Sequence, residues 1–509
     1  MTSRLKRYLF LTHRWLGVVA CLFFAMWFIS GVVMMYVGYP KLTERERLQH
    51  LPALDASVNY LAPARALALA DVQGPLSSLR LANARAGQPV YLAVPDKSAD
   101  QLSGKKRAPE SAAIVIDALT GQRLPTADHD VIMRSAAAYA GGATAMQYEG
   151  DIDEDAFTHS RALQAHRPLH KVLLDDAEHT VLYISSKTGE VVRDATSTER
   201  IWNYAGAWIH WLYPFRGNIF NAYWTDIVIW LSIAGLVLAI TGTVVGILRW
   251  RFQRPYRSGA RTPYQGRMMR WHHITGLLFA AITITWIFSG LMSMNPWKIF
   301  DSGAKPLQVQ EMNGGALLLT HADSAPTILL RNANRNVQEL RWSRTLGHTI
   351  VSAQGATGGP TVLASQNAQP YSPDVQALST AAAKLKPFPI KEVQELSAYD
   401  MYYYARDPHT MSGGTEKPLP ILRVIFDDPN ATWAHLDPAT GAVLGSVDSY
   451  RRTSRWLFAM LHSWDWLPLL ERRPLWDILL LALSVGGALL SLTAVVIAWR
   501  RLGKKLRAA

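Results

Sequence analysis

Positions free of any charged residue gather into four windows of about 20 residues, at 16–37, 227–248, 274–294 and 478–499. A stretch of that length crosses the hydrocarbon core of a bilayer as a helix, so the pattern predicts four membrane spans. The first and third windows open in the same way: histidine, glycine four later, tryptophan fourteen later, then Ser-Gly. One copy is His13, Gly17, Trp27, Ser30 and Gly31; the other, 259 positions on, is His272, Gly276, Trp286, Ser289 and Gly290. At about 100° per residue the histidine, first glycine, tryptophan and last glycine share a stripe roughly 40° wide. An ionisable ring in a membrane span is costly and by default functional, and two on matching helices predict a shared ligand.

The duplication continues. Ser232, Gly235 and Thr241 in the second window match Ser484, Gly487 and Thr493 in the fourth at an offset of 252. Ahead of each lies an aromatic, helix-like segment with one histidine, and the same offset pairs His210 with His462. Each half therefore reads span, outer domain, histidine-bearing segment, span.

In the long connections, period-2 apolar runs end in D-x-x-T-G at 114–121 (IVIDALTG) and 434–441 (AHLDPATG), with a variant at 183–189 (YISSKTG). Strand, tight turn and returning strand account for these better than a metal or phosphate loop. Helices are predicted over 63–70, 128–137 and 374–385, and loops at the glycine clusters 355–359 and 412–414. The outer domains are thus expected to mix α and β.

The net charge of +13 does not point to nucleic acid, because the cations are concentrated at the span ends. Arg4, Lys6 and Arg7 precede the first span. Seven arginines (249, 251, 254, 257, 261, 267 and 270) and no acid fill the connection between spans two and three, and Arg500, Arg501, Lys504, Lys505 and Arg507 follow the last span. The positive-inside rule makes these segments cytoplasmic and both long connections extracytoplasmic. The N-terminal apolar run is too long for a signal peptide and lacks an A-x-A-like site, so a retained anchor is expected. Cys21 is the single cysteine. Intrachain disulfides, iron–sulfur clusters, multi-thiolate zinc and covalent C-x-x-C-H haem are thereby excluded, and a redox cofactor would be held by histidine.

The repeated H-x-x-x-G entry, the Ile209-His210 and Leu461-His462 segments and the TG turns resemble the PepSY-associated transmembrane helix family. So do Arg167-Pro168-Leu169, Tyr402-Tyr403-Tyr404, 422–428 (LRVIFDD) and Arg473-Pro474-Leu475-Trp476-Asp477. The resemblance covers nearly the whole chain. It implies a membrane α-helical bundle of four transmembrane helices with internal duplication, carrying two α+β PepSY-like extracytoplasmic domains. The expected divisions are 1–37 (first span), 38–199 (outer domain), 200–250 (histidine segment and second span) and 251–271 (basic loop). They continue with 272–294 (third span), 295–454 (outer domain), 455–499 (histidine segment and fourth span) and 500–509 (tail). Members of the family include inner-membrane dihaem b-type reductases of ferric siderophores.

Bis-histidine haem needs two imidazoles on facing helices with small residues nearby. His13 and His272 meet this at the cytoplasmic ends of their spans, and His210 and His462 at the outer face; the resemblance implies the same four. His273 adjoins His272, but only His272 keeps glycine at plus four. Propionate partners are expected among Arg14 and Arg270 inside, and Arg200 and Arg455 outside. Two six-coordinate haems b leave no open iron, so electron conduction is the expected role, favoured outward by roughly 2.3 kcal/mol per 100 mV. The cytoplasmic parts hold no G-x-G-x-x-G and are too short for a nucleotide domain, so the donor would be a separate reductase, free reduced flavin or a quinol. The expected acceptor is a periplasmic ferric siderophore or other iron chelate, whose hard oxygen ligands suit Fe(III) better than Fe(II). The chain is thus expected to be a transmembrane haem-dependent metalloreductase, similar to the ferric-siderophore reductases of that family. The alternatives are a non-enzymatic PepSY membrane protein regulating peptidases or envelope assembly, and a transporter of pseudo-symmetric halves.

Other constellations are weaker. His166 and His170, with His159 in the same stretch, have i, i+4 spacing, but Pro168 breaks the helix that a metal site would need. His409 and Met411 beside Tyr402 to Tyr404 read as a buried strand with its loop. Trp211, Trp224, Trp297 and Trp476 read as an interfacial belt.

Overall fold

The computed structural model describes residues 2–96, 113–142, 144–216, 219–406 and 417–507. Among them, three helices are long and apolar enough to cross a membrane. We label these α1 (Ser3–Met34), α2 (Trp224–Arg249) and α5 (Leu475–Leu506), and between them lies a bent pair, α3 (Arg267–Leu278) and α4 (Ala280–Ser293). The third window, expected as one straight span over 272–294, is instead broken by 67° at Phe279. The position matching Phe279 in the first repeat is Ala20, and the Phe279 ring occupies a notch at Gly486 of α5 that a Cβ would fill. Two further glycines admit the helices of the bundle to close approach: Phe24 packs on Gly235 and Phe28 on Gly487. Those two glycines are repeat equivalents.

Three antiparallel sheets stand at the end of the bundle away from the chain termini. The first connection supplies β1 (Leu76–Arg85), β2 (Gln88–Pro95), β3 (Ile114–Asp117), β4 (Met146–Ile152), β5 (Leu169–Leu174), β6 (Val181–Ser185) and β7 (Val191–Ala195). The second supplies β8 (Glu339–Thr345), β9 (His348–Gln354), β10 (Thr361–Ala364), β11 (Ile390–Leu396), β12 (Ile421–Phe426), β13 (Trp433–Leu436) and β14 (Val443–Val447). The turns after β3, β6 and β13 are those the TG pattern predicts, with Gly121, Gly189 and Gly441 at positive φ. At the first, the Asp117 carboxylate accepts from the Leu119 and Thr120 amides. Sheets β4-β5-β6-β7 and β11-β12-β13-β14 are repeat equivalents, each packed on a helix, His129–Ala140 and Val375–Ala381 respectively.

The third sheet departs from the expectation of one separate domain per connection, 38–199 and 295–454. Its order is β10-β9-β8-β1-β2-β3, so both connections share it through β1 and β8. Apart, the two three-strand halves would each present an unpaired edge. Joined, they bury Leu79, Leu81, Leu340 and Trp342 to 1% exposure or less.

An ion cluster sits on this seam. Glu339 of β8, fully buried, meets Arg80 of β1 and Arg47 at 2.9 Å and Arg341 at 2.7 Å. Arg80 also bonds Glu190 at 3.0 Å, reaching the β6–β7 turn. Burial raises the Glu339 pKa, but the three guanidinium charges outweigh it and hold the group at about 2. The unfolded carboxyl titrates near about 4.3, so this contribution is complete above that pH and is lost as pH falls towards the folded value. Glu339→Gln is expected to cost about 3–5 kcal/mol, because it leaves buried cations facing a neutral amide. Measured by denaturant unfolding, the gap between wild type and variant should stay constant above about pH 5 and close as pH falls through about 4 to about 2.

Candidate functional site

The stripes of α1 and α3 bring His13 and His272 together, with ring centres 6.3 Å apart and planes 27° from parallel. His13 Nδ1 lies 3.4 Å from the Leu238 carbonyl, and His272 Nδ1 lies 3.3 Å from both the Leu490 carbonyl and Thr493 Oγ1. A carbonyl only accepts, so each Nδ1 carries the proton and each Nε2 is left with a lone pair. At Gly242, a Cβ would stand 2.6 Å from His13 Cε1, so this position has room only for glycine.

A cavity of about 360 Å³ adjoins the pair, and its wall is doubled by the repeat. His13, Gly17, Cys21 and Phe24 face it from α1, as His272, Gly276, Ala280 and Thr283 do from α3 and α4 at the offset of 259. Leu238, Gly242, Gly246 and Arg249 line it from α2, matched by Leu490, Ala494, Ala498 and Arg501 of α5 at 252. A ligand seated there meets nearly the same surface from both sides.

The second pair lies beside the other end of the stripes. His210 and His462 have ring centres 6.1 Å apart and planes 76° apart. Each Nδ1 is 3.0 Å from a stripe serine, Ser30 and Ser289 respectively. Ser30 donates its own proton to the Met26 carbonyl and Ser289 to that of Trp286, so both hydroxyl oxygens accept and both imidazoles keep Nε2 unprotonated. From His13 to Ser30 is 17 residues of helix, which puts the two pairs about 25 Å apart along α1.

Each outer histidine follows a single π-helical turn, Tyr204–Trp208 or Trp456–Met460, after a short helix, Ser197–Asn203 or Ser449–Arg455. Tryptophans then clasp the turn. Trp27 Nε1 donates to the His210 carbonyl at 3.0 Å, Trp224 Nε1 to that of Trp211 at 2.9 Å, and Trp476 Nε1 to that of Ser463 at 3.0 Å. Trp224 and Trp476 are repeat equivalents holding the residue after each histidine. Trp476 is therefore not part of an interfacial belt; it is fully buried, whereas Trp297 is 70% exposed. The sequence signal was present in the offset of 252, which pairs both the tryptophans and their acceptors.

Coordination places an imidazole nitrogen about 2 Å from a transition metal, and the ring centre lies about 1 Å further back, so two trans imidazoles have centres about 6 Å apart. Both pairs match that spacing. Among the described residues, two buried polar groups near the histidines lack a protein partner: Trp286 Nε1 and the side-chain amide of Asn203, seven residues before His210. His273 has both nitrogens occupied, Nε2 by the Gly246 carbonyl at 2.9 Å and Nδ1 by Thr262 Oγ1 at 2.7 Å, which removes it from the choice with His272. Of the cations expected as partners, Arg14 lines the cavity and Arg270 is exposed. Arg200 is bound to the His179 and Ala195 carbonyls, and Arg455 pairs with Asp465 and lies over Tyr404.

His159, His166 and His170 do not converge: they pair with Glu154, Ser185 Oγ and Tyr148 Oη respectively. His409 and Met411 lie outside the described residues. Tyr402 and Tyr403 form bends and Tyr404 lies in no strand, with the Tyr403 ring 5.0 Å from that of His435.

The family model of the PepSY-associated TM region matches residues 10–350. The chain belongs to that family. Within the PepSY-associated match lie His13, His210 and His272, while His462 follows it and is reached through the internal repeat. No curated protein matches the chain. The hydrogen bonds predict a tautomer test: ¹⁵N NMR of histidine-labelled, ligand-free protein should show Nδ1–H at His13, His210, His272 and His462, and Nε2–H at His273 alone of the five.

Proposed function

We propose that this member of the PepSY-associated family is a dihaem b-type cytochrome of the bacterial inner membrane that reduces a ferric chelate, a siderophore complex, on the periplasmic side. In this reading α1, α2, the bent α3–α4 unit and α5 are four spans, both termini are cytoplasmic and all three sheets are periplasmic. The observation that carries it is the pair of facing imidazole couples, each at metal-sharing distance and each with Nδ1–H spent on the protein. Ligand histidines in metal sites are held in this way, the second nitrogen orienting the ring.

Bound haem supplies a one-electron Fe(III)/Fe(II) couple at each level. The chain does the rest. His13 with His272, and His210 with His462, would hold the two haems, and with both imidazoles of each couple committed the groups would serve electron transfer and not oxygen binding. Phe24, Trp27, Phe28 and Trp286 fill the space between the levels and keep water out. With the arginine-rich end inside, an electron moving towards the sheets is favoured by roughly 2.3 kcal/mol per 100 mV. No protein nucleophile or general base is needed, since one electron weakens the hold of hard oxygen ligands on iron. The donor is a separate reductase, reduced flavin or quinol.

Purified protein is expected to show a bis-histidine Soret and α-band spectrum with two haems per chain. His13→Ala or His272→Ala should remove one haem and leave the other. Dithionite-reduced protein, freed of excess reductant, should be reoxidised by at least one of a panel of ferric siderophores. A wild type without a Soret band overturns the reading, and a cytochrome that none of them reoxidises loses its role in iron reduction.

A further inference from the structure

Among the described residues, Arg249 and Arg501 are the one cationic pair that the 252-residue repeat places around the His13–His272 cavity. Each lies seven residues, two helical turns, beyond the residue facing the imidazoles, Gly242 in α2 and Ala494 in α5, and so on the same helix face about 10 Å along. Arg14 joins them on the cavity wall from α1. No carboxylate neutralises the group. None of the three is in an ion pair among the described residues, and segments 1–15, 249–273 and 499–509 contain no Asp or Glu. The Arg249 guanidinium lies over the Phe10 ring, at 4.8 Å. Cations at span ends are ordinary. A symmetry-related pair on the wall of a cavity, with a third beside it and no carboxylate partner among the described residues, suits an anionic ligand.

We infer that Arg249 and Arg501 form a paired carboxylate clamp, one guanidinium for each propionate of the haem held by His13 and His272, with Arg14 supporting Arg501. The inference rests on the haem reading above and adds an orientation: the propionate edge faces the arginine-rich end. Arginine matches a carboxylate in a bidentate manner, which lysine does not. The same contacts compensate negative charge beside the iron and so favour its reduced state.

The test is a redox titration of the full-length protein in nanodiscs, with haem content per chain and the His210–His462 haem as internal reference. Arg249→Gln and Arg501→Gln are each expected to lower the midpoint of the inner haem by a tenfold shift in the reduced-to-oxidised ratio, about 59 mV for one electron. The outer midpoint should not move. Arg270→Gln, at the same end of the bundle but not on the cavity wall, should change neither, and Arg249→Lys should restore part of the loss. Two haems with unchanged midpoints in both glutamine variants overturn the clamp and leave the cytochrome intact. Equal shifts in Arg270→Gln also overturn it, in favour of general surface charge. Unchanged midpoints with slower reduction by reduced flavin mononucleotide would assign the arginines to a donor phosphate instead. A wild type without haem overturns both readings together.

Discussion

An imidazole buried among apolar helices has one N–H to dispose of, and a donor left unpaired there costs several kcal/mol. The bundle spends all four such protons on Nδ1, using the carbonyls of Leu238 and Leu490 at one level and the hydroxyls of Ser30 and Ser289 at the other. That choice orients the rings and leaves four Nε2 lone pairs in two couples. His273 shows the contrary case, with Nε2 itself consumed by the Gly246 carbonyl. The stripes of α1 and α4 thereby acquire a second task, since the Ser-Gly that closes each stripe seats a histidine carried by a different segment. Glycine provides the room: His210 Cε1 lies 3.6 Å from a Cβ position at Gly31, and His462 Cε1 lies 3.8 Å from one at Gly290.

Duplication gives these couples their matched surroundings. The offset of 252 carries β5 onto β12, β6 onto β13, β7 onto β14, one π turn onto the other, and α2 onto the corresponding part of α5. Two symmetric halves would still be free to drift apart. The β1–β8 seam and the Glu339 cluster bind them at the sheet end, Tyr36 of the first half bonds Asp477 in the first turn of α5, and the Phe24 and Phe28 notches lock the helices. Where symmetry fails it does so through single residues. One stripe bends where Phe279 stands in place of Ala20, and the Trp286 indole N–H has no protein partner whereas that of Trp27 donates to the His210 carbonyl.

Span length, the repeat and the four histidines were legible in the sequence because each is a local or periodic property. Charge-free windows of about 20 residues measure a bilayer, and a shared stripe needs only helical geometry. The TG turns were legible for the same reason, since an aspartate accepting from its next amides and a glycine at positive φ are neighbours in the chain. Arginines were legible as a class but not one by one: Arg14 lines the cavity, while Arg200 and Arg455 are taken by carbonyls and by Asp465.

What only the tertiary structure decided were relations between distant segments. That β1 and β8 would join one sheet depended on two edges meeting 259 residues apart, which no local pattern encodes. Trp476 is apolar enough for an interfacial belt, and only its bond to the Ser463 carbonyl makes it a support for His462. The sequence by itself determined which segments are long and apolar and which histidines recur at matched positions. Packing decided which nitrogen each histidine offers and which of two adjacent histidines faces its partner, because hydrogen-bond acceptors from other helices assign the protons.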